Sequence, residues 1–214
     1  LRPTQFLDSD HPAVIAFAQK AVGDAITPRD KAVRLYYAVR DGFIYDPYDL
    51  RLVPEDFRAS FIVQRGKGFC VTKAGLLAAA GRAVGLPTRL GFGDVRNHLS
   101  TKKLLELVGT DLFIFHGNAE FWLDGRWVKA TPAFNLSLCE KFRVLPLDWD
   151  GVHDAIFHPK DADGRRHMEY VNDRGPRDDL PFDEIVAAFR AAYPKLYEGP
   201  AEGDFAAEAA AENS

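Results

Sequence analysis

Cys70 is the residue of this chain best placed to act as a nucleophile. It lies in QRGKGFCVTKAGLLAAAGRAVG, residues 64–85, where a glycine-rich turn delivers it to the start of an apolar helical segment. The first turn of a helix carries unpaired N–H groups and the positive end of the macrodipole, which favour thiolate over thiol and can hold a developing oxyanion. Position alone does not separate such a cysteine from the commoner buried one that packs as a small hydrophobe. A second group is needed, and His116 supplies it. Period two in LFIFHGNAEFWL, residues 112–123, puts Leu112, Ile114, His116, Asn118, Glu120 and Trp122 on one strand face, with Phe113, Phe115, Ala119, Phe121 and Leu123 on the other. The second face is core, so His116 falls on the polar one, where an imidazole can take a thiol proton. With Asp124-Gly125 as a two-residue loop, Leu123 pairs with Arg126, Trp122 with Trp127, Glu120 with Lys129, Asn118 with Thr131 and His116 with Ala133. Thr131 is then diagonal to His116 on its face, about 7 Å away between backbones. Cysteine at a helix start, histidine on a later strand and a polar neighbour one strand over form the nucleophile, base and orienter of thiol acyl transfer.

These groups need a scaffold, and the flanking pattern predicts one. Asp10 as N-cap with Pro12 in the first turn opens a helix through Val22; Thr27-Pro28 opens a second that Gly42 ends. Phe43-Ile44-Tyr45 reads as a short strand, and residues 48–64 as a long irregular connection lining a cleft. Leu76, Leu77, Ala80 and Val84 give the cysteine helix apolar surface on most sides, and Gly85 stops it. Residues 88–95 read as a glycine-containing strand, Ser100-Thr101 as the cap of a short helix, residues 167–171 as a strand and 181–193 as a helix.

The segment GKGFCVTKAGLLAAAGRAVGLPTRLGFG resembles the cysteine-helix motif of the transglutaminase-like superfamily. FHGNAEFWLDGRWVKATPAF resembles its histidine strand and hairpin, so that the likeness covers roughly residues 30–135. The resemblance, which extends to papain-like proteases and arylamine acetyltransferases, implies an α+β fold with the cysteine helix buried against an antiparallel sheet. It implies Cys70 as nucleophile and His116 as general base. The family's third residue, an aspartate fifteen positions after the histidine, falls on Thr131, which can accept from the imidazole but carries no charge to stabilise an imidazolium. Asn118, and after it Asn135, are amide alternatives. Gln64, six positions before the cysteine, matches the papain-like glutamine that donates to the oxyanion.

At 214 residues and 47% hydrophobic, with sixteen Phe, the chain is expected to form one globular domain, residues 1–198, followed by an Ala/Glu-rich tail, 199–214, with little to bury. A net charge of -4 gives no reason to expect nucleic acid, and no apolar run is long enough to cross a bilayer. Two cysteines and the absence of a signal-peptide pattern point to a reducing, cytoplasmic setting. Asp94, Arg96, Asn97 and His98 are read either as cleft lining or as a turn. The acids and histidines of residues 148–163 match no EF-hand or zinc-helix spacing and read as solvated loops and turn caps, with a metal-dependent reaction ranked third. The expected function is therefore a cofactor-free cysteine hydrolase or acyltransferase acting on a peptide, protein or small amide or acyl substrate. Its rival is a catalytically silent binding or scaffolding module of the same fold.

Overall fold

The computed structural model describes residues 1–48, 50–197 and 203–213. Helix α1 (Pro12–Val22) is capped by His11, whose Nδ1 accepts from the Ala13 amide, so the cap falls one residue after the expected Asp10. Helix α2 (Pro28–Gly42) begins as the sequence dictates, with Thr27 Oγ1 accepting from Asp30 N at 3.1 Å. Strand β1 (Ile44–Tyr45) follows. The expected irregular connection instead holds a 3-10 turn (Pro54–Phe57) and helix α3 (Ala59–Arg65), both too short for their periodicity to be read. Strand β2 (Lys67–Gly68) pairs with β1 in parallel, and helix α4 (Cys70–Ala83) starts immediately after it.

Strand β3 (Thr88–Asn97), helix α5 (Lys102–Val108), and the hairpin β4 (Leu112–Leu123) and β5 (Arg126–Ala130) come next, then helix α6 (Leu136–Phe142), strand β6 (Met168–Arg177) and helices α7 (Phe182–Ala192) and α8 (Phe205–Glu212). The four long strands make one antiparallel sheet in the order β5-β4-β3-β6. The hairpin register is the expected one for Leu123 with Arg126, Trp122 with Trp127 and Glu120 with Lys129, but the ladder stops at Ala119 with Ala130. The pairs Asn118 with Thr131 and His116 with Ala133 do not form. Thr131 N turns to Ala155 O instead, at 3.1 Å.

Helix α4 is buried on all sides, as its composition requires, and packs on the sheet face that carries Thr88, Leu90, Ala119 and Phe121. Thr88 Oγ1 donates to the Ala78 carbonyl at 2.7 Å, tying helix to sheet. Lys73 is enclosed within this helix at 0% exposure. Its Nζ donates to the carbonyls of Arg40 (2.9 Å) and Phe43 (2.7 Å), capping the end of α2 while burial pushes its pKa down to about 7.

A bulge breaks β4 at Phe115, whose φ is +52° and where the pairing with β3 shifts between Gly93 and Val95. Asp94 holds that bulge, accepting from Phe115 N, Asn172 Nδ2 and Arg174 Nε. Asp94, Arg96 and Asn97 thus belong to a strand, whereas His98 lies in the turn after it and lines a cavity with Phe157 and Tyr170. The acids of 148–163 are spent on structural partners: Asp161 accepts from Arg165 and Asp150 from His153 nearby, and Asp148 accepts from Arg40 of α2. The 198/199 boundary falls outside the described residues, but helix α8 beyond it is docked rather than solvated. Phe205 of α8 is buried against Phe142 (5.1 Å), Tyr45 (5.8 Å) and Tyr48 (6.1 Å). One buried aromatic outweighs the Ala/Glu composition that suggested a loose tail.

Candidate active site

Cys70 is the first residue of α4, and the turn before it is fixed by Thr72, whose Oγ1 accepts from Phe69 N (3.1 Å) and donates to Phe69 O (3.2 Å). The first turn of the helix abuts β4 at Gly117. A Cβ on Gly117 would lie 3.1 Å from Val71 Cα and 3.4 Å from the Cys70 carbonyl oxygen, so only glycine fits there without displacement. Because β4 and β5 part after Ala119 and Ala130, the β5-side edge of β4 is open at this level, and the Gly117 N–H is free to face the Cys70 sulfur. His116 is the adjacent residue. The splay of the hairpin and the bare glycine let the start of the helix meet β4 at the residue next to His116.

The environment decides their charge. Cys70 keeps some accessible surface, yet dense surroundings push its thiol up to about 11, even though the backbone N–H groups of Gly117, Val71 and Cys70 pull the other way. His116 is buried, with the Phe157 ring 5.0 Å away, and desolvation pushes its pKa down to about 4. The helix N-terminus therefore does not deliver the standing thiolate expected from the sequence, because the cost of burying the anion exceeds what three amides return. At neutral pH the resting groups are a thiol and a neutral imidazole.

The candidate orienters separate. Thr131 is 1% exposed; the Tyr36 hydroxyl donates to its carbonyl at 3.2 Å, and its own Oγ1 has no hydrogen-bond partner. The Tyr170 hydroxyl lies near enough for Thr131 to influence its ionisation without meeting hydrogen-bond geometry, while burial pushes Tyr170 up to about 12. Asn118 is buried at 8% exposure with Oδ1 unpartnered, and it does not hydrogen-bond His116. Asn135 is committed elsewhere, accepting from Tyr45 N at 3.1 Å and donating to Ser137 Oγ at 2.8 Å. Gln64 is exposed on α3, and no hydrogen bond links its amide to Cys70 or His116. Cys139 is free and buried, so it leaves Cys70 unbridged.

Three aromatic residues escaped the sequence reading. Phe157 covers His116, and its amide donates to the Tyr170 hydroxyl at 3.3 Å. Tyr45 is enclosed beside the sulfur: burial first, then the charge a Cys70 thiolate would carry, raises its pKa well above the ordinary value. Tyr45 follows a recognisable strand signal. Phe157 and Tyr170 come from segments whose position over the site depends on β6 pairing with β3.

No curated protein matches this sequence. Among solved structures, a candidate cysteine protease from Cytophaga hutchinsonii aligns at 17% identity and TM-score 0.48, over 82% of this chain and 52% of that one. The chain thus spans about half the length of the Cytophaga protein. The arylamine N-acetyltransferase of Mycobacterium abscessus aligns at 12% identity and TM-score 0.49, over 90% of this chain and 73% of that one. A candidate protease from Parabacteroides distasonis aligns at 15% identity and TM-score 0.40, over 62% and 26%. The family model that matches, over residues 15–132 and so more than half of the 214, spans both the cysteine helix and the histidine strand: this chain belongs to the transglutaminase-like superfamily.

Proposed function

We propose that the protein is a cysteine-dependent hydrolase or acyltransferase acting on an amide or related acyl bond of a peptide, a protein or a small acyl substrate. The observation that carries this reading is the contact between the first turn of α4, headed by Cys70, and Gly117, the residue after His116. The resting charges favour a general-base route. His116 takes the thiol proton as the Cys70 sulfur bonds to the carbonyl carbon, and N–H groups of the first turn of α4 receive the oxyanion. As the carbon–nitrogen bond breaks, the imidazolium returns the proton to the departing amine, leaving a thioester on Cys70. Water or an amine then adds to that thioester, giving its proton to His116; the carbon–sulfur bond breaks and the thiol is reprotonated. Thr131 Oγ1 makes no hydrogen bond at rest, so the imidazole is held by packing against the Phe157 ring, and Asn118 lies two residues further along β4. Gln64 has no part in this scheme.

Two features favour the silent module instead: both groups rest neutral, and Thr131 Oγ1 makes no hydrogen bond. Reaction with p-nitrophenyl acetate, followed by nitrophenol release and by intact and peptide mass spectrometry, separates the two. The enzyme gives an acetyl adduct on Cys70 that turns over, is absent in Cys70→Ser and is slowed by His116→Ala. Acetylation confined to Cys139 or surface lysines, or a Cys70 rate indifferent to His116→Ala, refutes it in favour of the module.

A further inference from the structure

On the sheet face that carries His116, a cavity of about 390 Å³ opens between the end of β5 and strand β6. Its walls include Asn118, Lys129, Ile156, Tyr170, Val171 and Asp173, and its floor includes Gly93, where any Cβ would stand 3.5 Å from the Tyr170 ring. It shares Lys129 and Asp173 with a neighbouring cavity of about 290 Å³, so that the two form one groove. Three walls are apolar residues left unusually open: Ile156 at 42%, Tyr170 at 39% and Val171 at 46% exposure.

Two polar groups in this groove are unmatched. Asn118 is more than nine-tenths buried, yet its Oδ1 lacks a donor, and it sits two residues from His116 on the same strand face. Buried acceptors in native proteins nearly always find a partner. Lys129 has no ion pair among the described residues, because Glu120, opposite it in the ladder, is taken by Arg89 Nε at 2.7 Å. The neighbouring cavity adds Arg89, Glu120 and Asp154: Glu120 is paired with Arg89, Asp154 accepts from Lys129 N at 2.8 Å, and Asp173, exposed at the mouth, accepts from Gly175 N at 2.8 Å, so the Lys129 ammonium is the cation of the groove left without an ion pair among the described residues. The Tyr170 wall also leads to the reacting groups. Its hydroxyl accepts from the amide of Phe157, whose ring covers His116.

We propose that this groove is the acyl-donor subsite: it takes an extended, N-acylated, peptide-like chain whose N–H donates to Asn118 Oδ1 and whose carboxylate meets Lys129. The inference rests on the acyl-transfer reading above and assigns Asn118 to substrate rather than to the imidazole. The larger cavity, at about 390 Å³, also has the size of small-ligand sites.

The test uses thiol-directed probes with one warhead, the bromomethyl ketones of N-acetyl-glutamate, N-acetyl-glutamine and N-acetyl-lysine, plus the glutamate analogue with the N–H replaced by oxygen. Each Cys70 alkylation rate, located by mass spectrometry, is divided by that of iodoacetamide, a reagent too small to fill the groove. The acidic probe is expected to react about tenfold faster than the basic one, and to lose about tenfold when its N–H is replaced or when Asn118 is changed to Ala. Lys129→Glu reverses the charge order. A preference for the basic probe, or a charge order unmoved by Lys129→Glu, or indifference to the N–H, overturns the subsite while iodoacetamide labelling keeps the thiol reading intact. A Cys70 unreactive to every reagent overturns both.

Discussion

Replacing Gly117 by alanine tests the contact on which the site depends. The added Cβ would stand 3.1 Å from Val71 Cα and 3.4 Å from the Cys70 carbonyl oxygen, against an ordinary carbon–carbon contact of about 3.5–4.0 Å. Both obstacles are backbone, so no flexible side chain can yield and the first turn of α4 must move off β4 by several tenths of an ångström. Overpacking of this kind costs roughly 1–3 kcal/mol, partly offset by the ~0.5–1 kcal/mol that alanine gains over glycine in a strand. A net loss of about 1–2 kcal/mol is expected, which in a chain of this size lowers Tm by ~2–8 °C. The same movement shifts Cys70 relative to the strand that carries His116, and misplacement on the order of 1 Å can cost ~10²-fold in rate. Denaturant titration reads the first effect and Cys70 acetylation by p-nitrophenyl acetate the second. Gly42→Ala is the control, since a Cβ there meets nothing within 4 Å and its φ is not positive. If Gly117→Ala matches Gly42→Ala in stability and acetylates at the wild-type rate, the close approach does not set the site.

Three further outcomes follow from the same geometry. With the Cys70 thiol raised from 9.0 to about 11, the thiolate fraction at neutral pH is ~100-fold below that of an ordinary cysteine, so alkylation should climb about tenfold per pH unit through the neutral and alkaline range; a plateau on the acid side would reveal a standing ion pair and refute the neutral resting state. His116 and His167, both pushed by burial from 6.5 to about 4, hold fewer protons folded than unfolded between those values. Their stabilisation is therefore complete above 6.5 and is lost as pH falls toward 4, by ~2 kcal/mol per histidine near pH ~5; denaturant midpoints that stay level from pH ~7 to ~5 would contradict it. Phe205→Ala, which empties the contact of α8 with Tyr45, Tyr48 and Phe142, should cost about 3 kcal/mol by thermal or chemical denaturation, whereas a loose tail would register no change.

Much of the architecture was legible because local chemistry enforces it. Thr27-Pro28 opens a helix by satisfying its first amides, Asp124-Gly125 adopts φ of +49° and +83° to turn a hairpin, and the uniformly apolar run after Cys70 has to be buried. The hairpin register followed from that turn and put His116 on the face away from the helix. The order of cysteine helix and histidine strand was enough to point to the family. What local pattern does not encode is where a strand pair parts. Thr131 leaves the ladder for Ala155, so the neighbour expected opposite Asn118 is not paired with it. Short helices such as α3 and α6 hold too few turns to show a period, and the docking of α8 turns on one aromatic side chain meeting three others from distant segments.

The sequence by itself determined that a cysteine would stand at the start of a buried helix and a histidine on a well-registered strand. Only the tertiary structure decided their protonation and their company. Desolvation is a property of everything packed around a group, and here it reverses the thiolate that the helix terminus alone would favour. Phe157, Tyr170 and the groove beside Asn118 arise from β6 closing the sheet some fifty residues after His116, a long-range pairing that no window of sequence contains.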